Sequence, residues 1–422
     1  MTGLETVCDP LLGERVFRGR TSAGLRVRVA RKPEFREVAA VISFGYGSTD
    51  LEFEHEGRAW STPPGTAHYL EHKLFEDEDL QVFDRFAARG ARVNAFTGFT
   101  RTTYYFTAPG RFRENLADLL HLVSRAHITE QNVEKERGII AQEVRMYEDS
   151  PQHGTMFDLL ACMYPGHPVR HTVGGTVESI GEITADLLLR CHEAFYRGGN
   201  AALAVAGPVD PEEVLELAES AALRAGEGPT RTTRPDHGPG GSGRGGRPRA
   251  VSRPRILLGL KDSRPCGDWR GRLRRNLATE VLLDRLFSPA SELREEMRVR
   301  GDVDDTLACG YYGEETFAFA CVGCETDDPA RSEAALRSAL FSGASCDGAH
   351  LERLRRKQLG RLVRAFESVR ALALAGVAEE LEGIPPFRLV PELEMLSEDD
   401  VERRRAELVD ERRIGVAVTT RA

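Results

Sequence analysis

The sequence predicts two domains that each combine strands with helices, the second domain being a divergent copy of the first. Strand-like and helix-like patterns alternate along both halves of the 422-residue chain, which is long enough to form two cores. Residues 226–250 are rich in Gly, Pro and Arg and contain no Val, Ile, Leu, Met or aromatic side chain, so they predict a flexible linker. The segment Glu280–Phe287 also aligns with His68–Phe75 and keeps its Leu and Phe positions. The predicted domains are therefore 1–225 and 251–422.

The first half carries clear signals for individual elements. Apolar runs predict strands at 25–30, 38–44, 91–97, 102–107 and 201–206. Apolar positions at helical spacing predict helices at 66–76, 80–89, 112–126, 131–147, 153–163, 185–195 and 211–225. Thr66 is the predicted N-cap of the first helix, because a threonine hydroxyl can accept a hydrogen bond from a free N–H group there.

The second half carries fewer assignable elements. We predict a strand at 255–260, a helix that contains residues 280–287, and a strand-like run at 317–324. The run contains Cys321 and Cys324, a lone CxxC pair, which we interpret as buried small residues rather than a redox or metal site. The eight cysteines are scattered through a chain too long for a disulfide scaffold, so free thiols are expected.

Composition and charge exclude several classes of function. The net charge of -9 argues against a nucleic-acid-binding surface. No stretch reaches the ~18 apolar residues that a membrane span requires. Glu5, Asp9 and Glu14 interrupt the N-terminal segment, so it does not read as a secretory signal. A cytoplasmic location is the resulting expectation.

The strongest chemical motif is His68-Tyr-Leu-Glu71-His72, in a predicted helix. Histidines four residues apart lie on one helix face, close enough to share one metal ion, and Glu71 points the same way. This H-x-x-E-H order is the inverted signature of zinc peptidases. A catalytic zinc ion takes three protein ligands and keeps one position for water, so two histidines leave one ligand to be found.

The best candidate for the third ligand is Glu143, in a later predicted helix. Glu136 lies seven residues earlier, so the two carboxylates share a helix face. One carboxylate can bind the metal ion, while the other can orient a histidine or the water molecule. We therefore predict one zinc ion per chain on His68, His72 and Glu143, with Glu136 in support. Glu71 would take the proton of the attacking water and later deliver it to the leaving amine.

At these residues the chain resembles the pitrilysin and insulinase family of zinc peptidases. The resemblance covers most of residues 20–225 and is only general over 250–422. It rests on four stretches: Gly65–Glu76, Asn94–Phe106, Glu136–Glu143 and Phe195–Pro211. The similarity is greatest to small bacterial members of about this length.

The resemblance implies more than the motif does. It implies an α+β fold in which two duplicated domains each contain a mostly antiparallel sheet backed by helices, the second without metal ligands. It implies extended peptide substrates that add a strand at a sheet edge. Asn94, Ala95 and Phe96 are the substrate-binding residues it suggests.

The chain departs from the family pattern in the second half. Members with a complete site carry an Arg and a Tyr there that grip the substrate, but Met297 and Asp304 stand at the expected positions. Some relatives divide these parts between two chains. We therefore expect this chain to be the zinc-bearing subunit of a heterodimer with a homologous partner subunit, a homodimer being the alternative.

Three functions remain open from sequence alone. The first is a catalytic metalloendopeptidase subunit that acts on short or unfolded peptides, for example in leader-peptide removal or general peptide turnover. The second is a non-catalytic structural or presequence-binding subunit of the same family, although such members typically lose a ligand or the base. The third is a metal-dependent enzyme of another class, such as a lyase.

Overall fold

A computed structural model of the chain describes residues 3–8, 14–76, 82–238, 242–263, 268–342, 348–385 and 388–422. Some predicted features lie outside these ranges. They are Asp9, the start of the helix predicted at 80–89, positions 239–241 of the predicted linker, and two of the cysteines, Cys266 and Cys346.

The described strands form three sheets. The bounds are β1 (Glu5–Cys8), β2 (Arg15–Arg20), β3 (Arg26–Arg31), β4 (Val38–Phe44), β5 (Glu52–His55), β6 (Arg58–Ser61), β7 (Arg92–Thr97), β8 (Thr102–Ala108), β9 (Ala201–Gly207), β10 (Thr230–Arg231), β11 (Arg244–Gly245), β12 (Pro248–Arg249), β13 (Arg255–Lys261), β14 (Ala308–Gly313), β15 (Ala318–Glu325) and β16 (Ile414–Arg421). One sheet has the order β1-β2-β3-β9-β4-β8-β7, and a second has β11-β16-β13-β15-β14 with β12 also paired to β16. The small third sheet has the order β10-β5-β6.

The helices pack against these sheets. Their bounds are α1 (Thr66–Leu74), α2 (Val82–Ala88), α3 (Phe112–Ser124), α4 (Glu130–Asp149), α5 (Pro151–Met163), α6 (Val177–Gly181), α7 (Ala185–Phe195), α8 (Pro211–Glu219), α9 (Trp269–Phe287), α10 (Glu292–Val299), α11 (Pro329–Ser342), α12 (Gly348–Phe366), α13 (Val369–Glu382), α14 (Leu389–Glu394) and α15 (Glu398–Leu408). None of the helices in the described ranges is long and apolar enough to cross a membrane.

The two large sheets are mostly antiparallel, which confirms the α+β fold that the resemblance implied. In the first sheet β3 and β9 run parallel, whereas β4 is antiparallel to both β8 and β9. In the second, β13 is antiparallel to β15 and β16. Strands β4 and β9 are buried along their whole length, which explains their nearly continuous apolar sequences.

The chain forms two compact units that are not consecutive in sequence. The first comprises residues 1–143, 172–232 and 361–387, and the second comprises 144–171, 233–360 and 388–422. Helix α13 therefore belongs to the first unit, where Val369, Leu372 and Val377 pack against alanines of β4 and β9. Helix α5 belongs to the second unit and packs on β13 and β16. A helical period shows only that one face is buried, so it does not reveal which sheet covers that face.

The range predicted as a linker contains short strands. Strand β10 pairs with β5 in the first unit, and β11 and β12 pair with β16 in the second. The division between the units passes between Thr232 and Thr233, inside this range. Backbone pairing at a sheet edge requires no apolar side chain, so composition alone indicated only flexibility here.

Two local predictions were wrong. Thr66 is the first residue of α1 rather than its N-cap, and its hydroxyl donates a hydrogen bond of 2.7 Å to the carbonyl of Pro63. The N-cap is Gly65, with a φ of +95° in the left-handed region that glycine alone adopts easily. Helix α8 ends at Glu219 instead of continuing to Ala225, because Ser220 closes it with a turn.

Substitution of Gly65 tests the backbone conformation at the start of α1, the helix that carries the H-x-x-E-H motif. A Cβ atom there would lie 2.6 Å from the carbonyl oxygen of Gly174, whereas Gly57, with a φ of +72°, faces open space. We expect Gly57→Ala to lower the free energy of unfolding by about 1 kcal/mol, the cost of the backbone conformation alone. Gly65→Ala should lower it by about 2–4 kcal/mol, because the backbone must also move. Urea denaturation of both variants measures the difference, and equal losses would contradict this account.

Candidate metal centre

Helix α1 presents both histidines of the motif on one face. His68 and His72 lie one turn apart, and their ring centroids are 4.7 Å apart. Both side chains are partly buried, and Glu71 between them is 8% exposed. The side chains of His68, Glu71 and His72 therefore face other protein groups rather than bulk water.

Two buried side chains of α1 attach it to α4. The Tyr69 hydroxyl donates to the carbonyl of Val133, and the Lys73 ammonium donates to the carbonyl of Asn132 at 3.0 Å. Tyr69 and Lys73 are both fully buried. These bonds fix the first turn of α4 against α1, so the carboxylates further along α4 reach the histidines.

The side chains of His68, His72 and Glu143 converge on one point. The two carboxylate oxygens of Glu143 lie 3.7 Å from His68 Nε2 and 3.3 Å from His72 Nε2. One possible ligand atom from each residue lies within 4.8 Å of the other two. Tetrahedral zinc with N and O ligands at ~2.0–2.2 Å separates neighbouring ligand atoms by about 3.3–3.6 Å, so this donor set fits the ion in type and spacing.

Glu136 contacts the outer nitrogen of one histidine. Its Oε1 lies 3.0 Å from His72 Nδ1, and this hydrogen bond leaves His72 Nε2 directed at Glu143. A carboxylate on the second ring nitrogen fixes the tautomer and orientation of a metal-binding histidine. Glu143 thus lies near the Nε2 atoms of both histidines, whereas Glu136 contacts the Nδ1 atom of His72.

The electrostatics of the cluster favour a positive charge. Burial opposes protonation of His72, but its hydrogen bonds to Glu136 and Glu143 outweigh burial and raise its pKa to about 9. The hydrogen bond from His72 in turn lowers the pKa of both carboxyls. Burial and the neighbouring His72 lower the pKa of His68 to about 4. Among these side chains His72 carries the charge that the carboxylates attract, and a divalent cation would displace that proton.

Glu71 has a different environment from the other carboxylates. Burial raises its pKa to about 7, although a hydrogen bond from the Thr97 hydroxyl opposes the shift. A carboxylate whose pKa lies near neutrality can both accept and donate a proton at physiological pH. Glu71 can therefore exchange a proton near neutral pH, and it lies one residue from His72.

The three residues that the resemblance assigned to substrate lie on β7. This strand is at the edge of its sheet, and within the described residues it pairs only with β8. Asn94 and Phe96 are exposed and Ala95 is partly buried, and the Phe96 ring contacts Tyr105 edge-on. Thr97 at the end of the strand bonds Glu71, so this edge runs up to the candidate site.

The second unit has other contacts at the positions aligned with the metal site. Glu280 and Asp284 of α9 align with the two histidines. Glu280 accepts a hydrogen bond of 2.9 Å from Gln358, and Asp284 pairs with the Lys357 ammonium at 2.6 Å. Both partners lie on α12, the helix that occupies the place of α4 in the order of elements. The Lys357 ammonium group thus supplies the positive charge that balances the Asp284 carboxylate.

The residues near the missing Arg–Tyr pair have structural contacts. Met297 is buried, and Asp304 pairs with Arg253 at 2.7 Å. The Tyr311 hydroxyl donates to Asp262 at 2.9 Å, and Tyr312 stacks on Phe319. Cys321 and Cys324 are buried and unpaired, as the sequence interpretation expected.

Sequence reasoning missed the residues that support the site. The sequence pattern indicates Thr97 only as the end of a strand, and it assigns no role to Tyr69, inside the motif, or to Lys73, directly after it. The signal for the last two was weak, because a polar side chain on the buried face of a helix is visible only after the face is assigned. Thr97 contacts Glu71 across 26 positions of sequence, so no local pattern reveals it.

Fold and site together define a class of protein: a two-domain α+β protein with a candidate metal centre built on an H-x-x-E-H motif. The model of the insulinase family, peptidase family M16, matches residues 59–177. A second model, described as the peptidase M16 inactive domain, matches residues 182–340.

Similar proteins agree with these matches. The chain is 34% identical over 415 residues to the uncharacterized zinc protease YmfH of Bacillus subtilis, with 93% of each protein covered. A putative M16-like peptidase from Alicyclobacillus acidocaldarius has a crystal structure that matches with a TM-score of 0.90 and 31% identity, covering 100% of this chain and 99% of that one. A protease from Helicobacter pylori shares the fold, with a TM-score of 0.82 at 18% identity over 96% of this chain and 100% of that one. The chain belongs to the insulinase family, peptidase family M16, which confirms the resemblance.

Zinc binding tests the roles of the carboxylates on α4. We expect Glu143→Gln to lower the affinity for zinc at least about a hundredfold, because it removes a charged ligand. Glu136→Gln should lower it about 10–100-fold by loosening His72. Glu134→Gln is the matched control, because Glu134 lies on the same helix and is 71% exposed. Competition with a chromophoric chelator measures all three, and a Glu143→Gln protein that binds zinc like the unmodified chain would refute the assignment.

The ion pair in the second unit can be tested separately. Lys357→Met leaves Asp284 without its ammonium partner, so we expect it to lower the free energy of unfolding by about 1 kcal/mol. Adding Asp284→Asn to that variant should restore most of the loss. Arg356→Met, at a side chain 78% exposed on the same helix, is the control. Equal effects of Lys357→Met and Arg356→Met in urea denaturation would show that the pair contributes nothing.

Proposed function

We propose that the chain is the zinc-bearing subunit of a metalloendopeptidase that hydrolyses short or unfolded peptides. The observation that carries the proposal is the convergence of His68, His72 and Glu143 beside a buried glutamate, Glu71. A metal ion held by three side chains would keep a position for water. Glu71, which is adjacent to His72 in sequence and interacts electrostatically with His72 and Glu143, would act on that water. Zinc is the proposed ion because relatives of this chain in the family are named zinc proteases.

The roles of the side chains follow from their contacts. When bound, zinc supplies a Lewis acid that activates water and polarises the scissile carbonyl group. His68, His72 and Glu143 hold the ion, and Glu136 orients His72 through Nδ1. Glu71 accepts the proton of the attacking water and passes it to the leaving amine. We propose one zinc ion per chain, since His68, His72 and Glu143 are the metal-binding group found among the described residues, and the aligned Glu280 and Asp284 contact Gln358 and Lys357 instead.

The substrate would bind as an extended strand along β7. An edge strand offers unpaired backbone groups to a peptide, and this edge leads to Glu71 through Thr97. Asn94, Ala95 and Phe96 would contact the peptide, since two of them are exposed at this edge. A folded protein cannot easily present such a strand, which favours unfolded or short substrates, including leader peptides.

A partner subunit would supply the substrate grip that this chain lacks. Met297 is buried and Asp304 pairs with Arg253, so neither position offers a free Arg or Tyr side chain to a substrate. A homologous chain that carries the Arg–Tyr pair would complete the enzyme as a heterodimer. A non-catalytic, presequence-binding subunit is the second candidate, favoured by the lack of that pair and opposed by the intact metal cluster.

Glu71→Gln separates these two functions. The variant keeps the shape of the side chain and all three proposed ligands, so it should bind zinc with unchanged affinity. Peptide cleavage should fall at least about a thousandfold, because the amide cannot accept the proton. The assay uses a quenched fluorescent, unstructured peptide and the protein isolated with any natural partner, with Glu54→Gln on β5 as an exposed control.

The outcomes of this experiment differ between the candidates. Chelator-sensitive cleavage by the unmodified protein that disappears in Glu71→Gln supports the peptidase. A zinc-loaded protein that binds peptide yet does not cleave it, with or without a partner, contradicts the peptidase and favours the presequence-binding subunit. Cleavage that survives in Glu71→Gln would mean that another residue is the base.

A further inference from the structure

One hydroxyl group connects the candidate general base to the substrate strand. The Thr97 Oγ1 donates a short hydrogen bond to Glu71 Oε2. Thr97 is the last residue of β7, and Glu71 lies in the middle of α1. Nothing in the H-x-x-E-H motif requires a threonine at that place, so the contact belongs to the fold of this chain.

The surrounding bonds determine which way the hydroxyl points. Thr97 Oγ1 also lies 3.4 Å from Thr102 Oγ1, its cross-strand partner. However, Thr102 Oγ1 donates to the carbonyl oxygen of Tyr46 at 2.8 Å, and a carbonyl can only accept. Thr102 can therefore only accept a hydrogen bond from Thr97, and at 3.4 Å that contact is much longer than the one between Thr97 and Glu71. The single proton of Thr97 is therefore assigned to the shorter contact, with Glu71. An ionised carboxylate accepts such a bond, and hydrogen bonds to charged groups are the stronger kind.

The contact divides the two oxygens of Glu71 between two roles. Oε2 is held by Thr97, whereas Oε1 has no such bond to Thr97. A carboxylate with one oxygen fixed cannot rotate freely about its last torsion, so the second oxygen keeps one direction. Orientation of a catalytic group to within a fraction of an ångström is worth much of its rate effect.

We propose that Thr97 is a positioning residue that fixes the Glu71 carboxylate through Oε2 and leaves Oε1 to accept the proton of the attacking water. This inference rests on the proposed peptidase function and deepens it. Because Thr97 is part of β7, the strand along which the peptide would lie also holds the base. The position of the peptide relative to the Glu71 carboxylate is therefore set by the same strand.

A purely structural role is the competing interpretation. Threonine is favoured in strands, and a Thr–Thr pair across two strands stabilises a hairpin without any catalytic purpose. The two roles make different predictions for substitutions. Thr97→Val keeps the β-branched shape and removes the hydroxyl, whereas Thr97→Ser keeps the hydroxyl and removes the methyl group. Thr107→Val on β8 is the matched control, because Thr107 is partly buried in the same hairpin.

The test measures kcat and KM on an unstructured peptide for the full-length protein, with its partner if it has one, after zinc content is checked. We expect Thr97→Val to bind zinc normally, to lower kcat about 10–100-fold and to change KM less than about twofold. Thr97→Ser should restore kcat to within about threefold, and Thr107→Val should change neither constant. Unchanged kcat in Thr97→Val, a change in KM alone, or a Thr97→Ser variant as impaired as Thr97→Val would each overturn the proposal.

A binding measurement tests the same inference without turnover. A peptide hydroxamate binds zinc and forms a hydrogen bond with the glutamate beside it, so its affinity reports the position of Glu71. We expect Thr97→Val to weaken binding about tenfold, and to have no further effect in a protein that already carries Glu71→Gln. Additive effects of the two substitutions would show that Thr97 does not act through Glu71. If the unmodified zinc-loaded protein neither cleaves peptides nor binds the hydroxamate, the proposed function itself fails; normal activity with a silent Thr97→Val overturns only this inference.

Discussion

The site depends on the attachment of α1 to the beginning of α4. Buried hydrogen bonds from Tyr69 and Lys73 bring the buried carboxylate of Glu136 and the partly buried carboxylate of Glu143 against the two histidines. Carboxylates in such a place are costly unless a positive charge accompanies them. His72 supplies that charge as a protonated imidazole, with a pKa of about 9. The same arrangement makes the place favourable for a divalent cation, so the proposed metal site depends on the packing of these two helices.

The second unit shows how a related arrangement persists without metal ligands. Glu280 and Asp284 occupy the aligned turn of α9, and Lys357 and Gln358 reach them from α12. An ammonium group there contributes one positive charge within the chain itself. The carboxylates at the aligned positions are thus neutralised in different ways in the two units. Among the residues that the structure describes, only those of the first unit direct ligand atoms at a common point.

Sequence was informative where the chemistry is local. The helical period alone predicts that His68, Glu71 and His72 lie on one face, and apolar runs predict fully buried strands such as β4. The sequence did not predict that α5 belongs to the second unit and α13 to the first, because an amphipathic pattern does not indicate which sheet a helix covers. The support of Glu71 by Thr97 was also invisible, since the two residues meet only through the tertiary fold. The N-cap of α1 was also mispredicted. The sequence suggested Thr66, but the close approach of the Gly174 backbone requires a glycine at position 65, which is the N-cap.

We propose that α1 and α4 hold one zinc ion between His68, His72 and Glu143. A crystal of the zinc-loaded protein measured on both sides of the zinc absorption edge tests it most directly. We predict one anomalous peak per chain, within about 2.0–2.2 Å of the two Nε2 atoms and a Glu143 oxygen, and none beside Asp284. A chain without a peak at these residues, or with its peak at another group, would contradict the account.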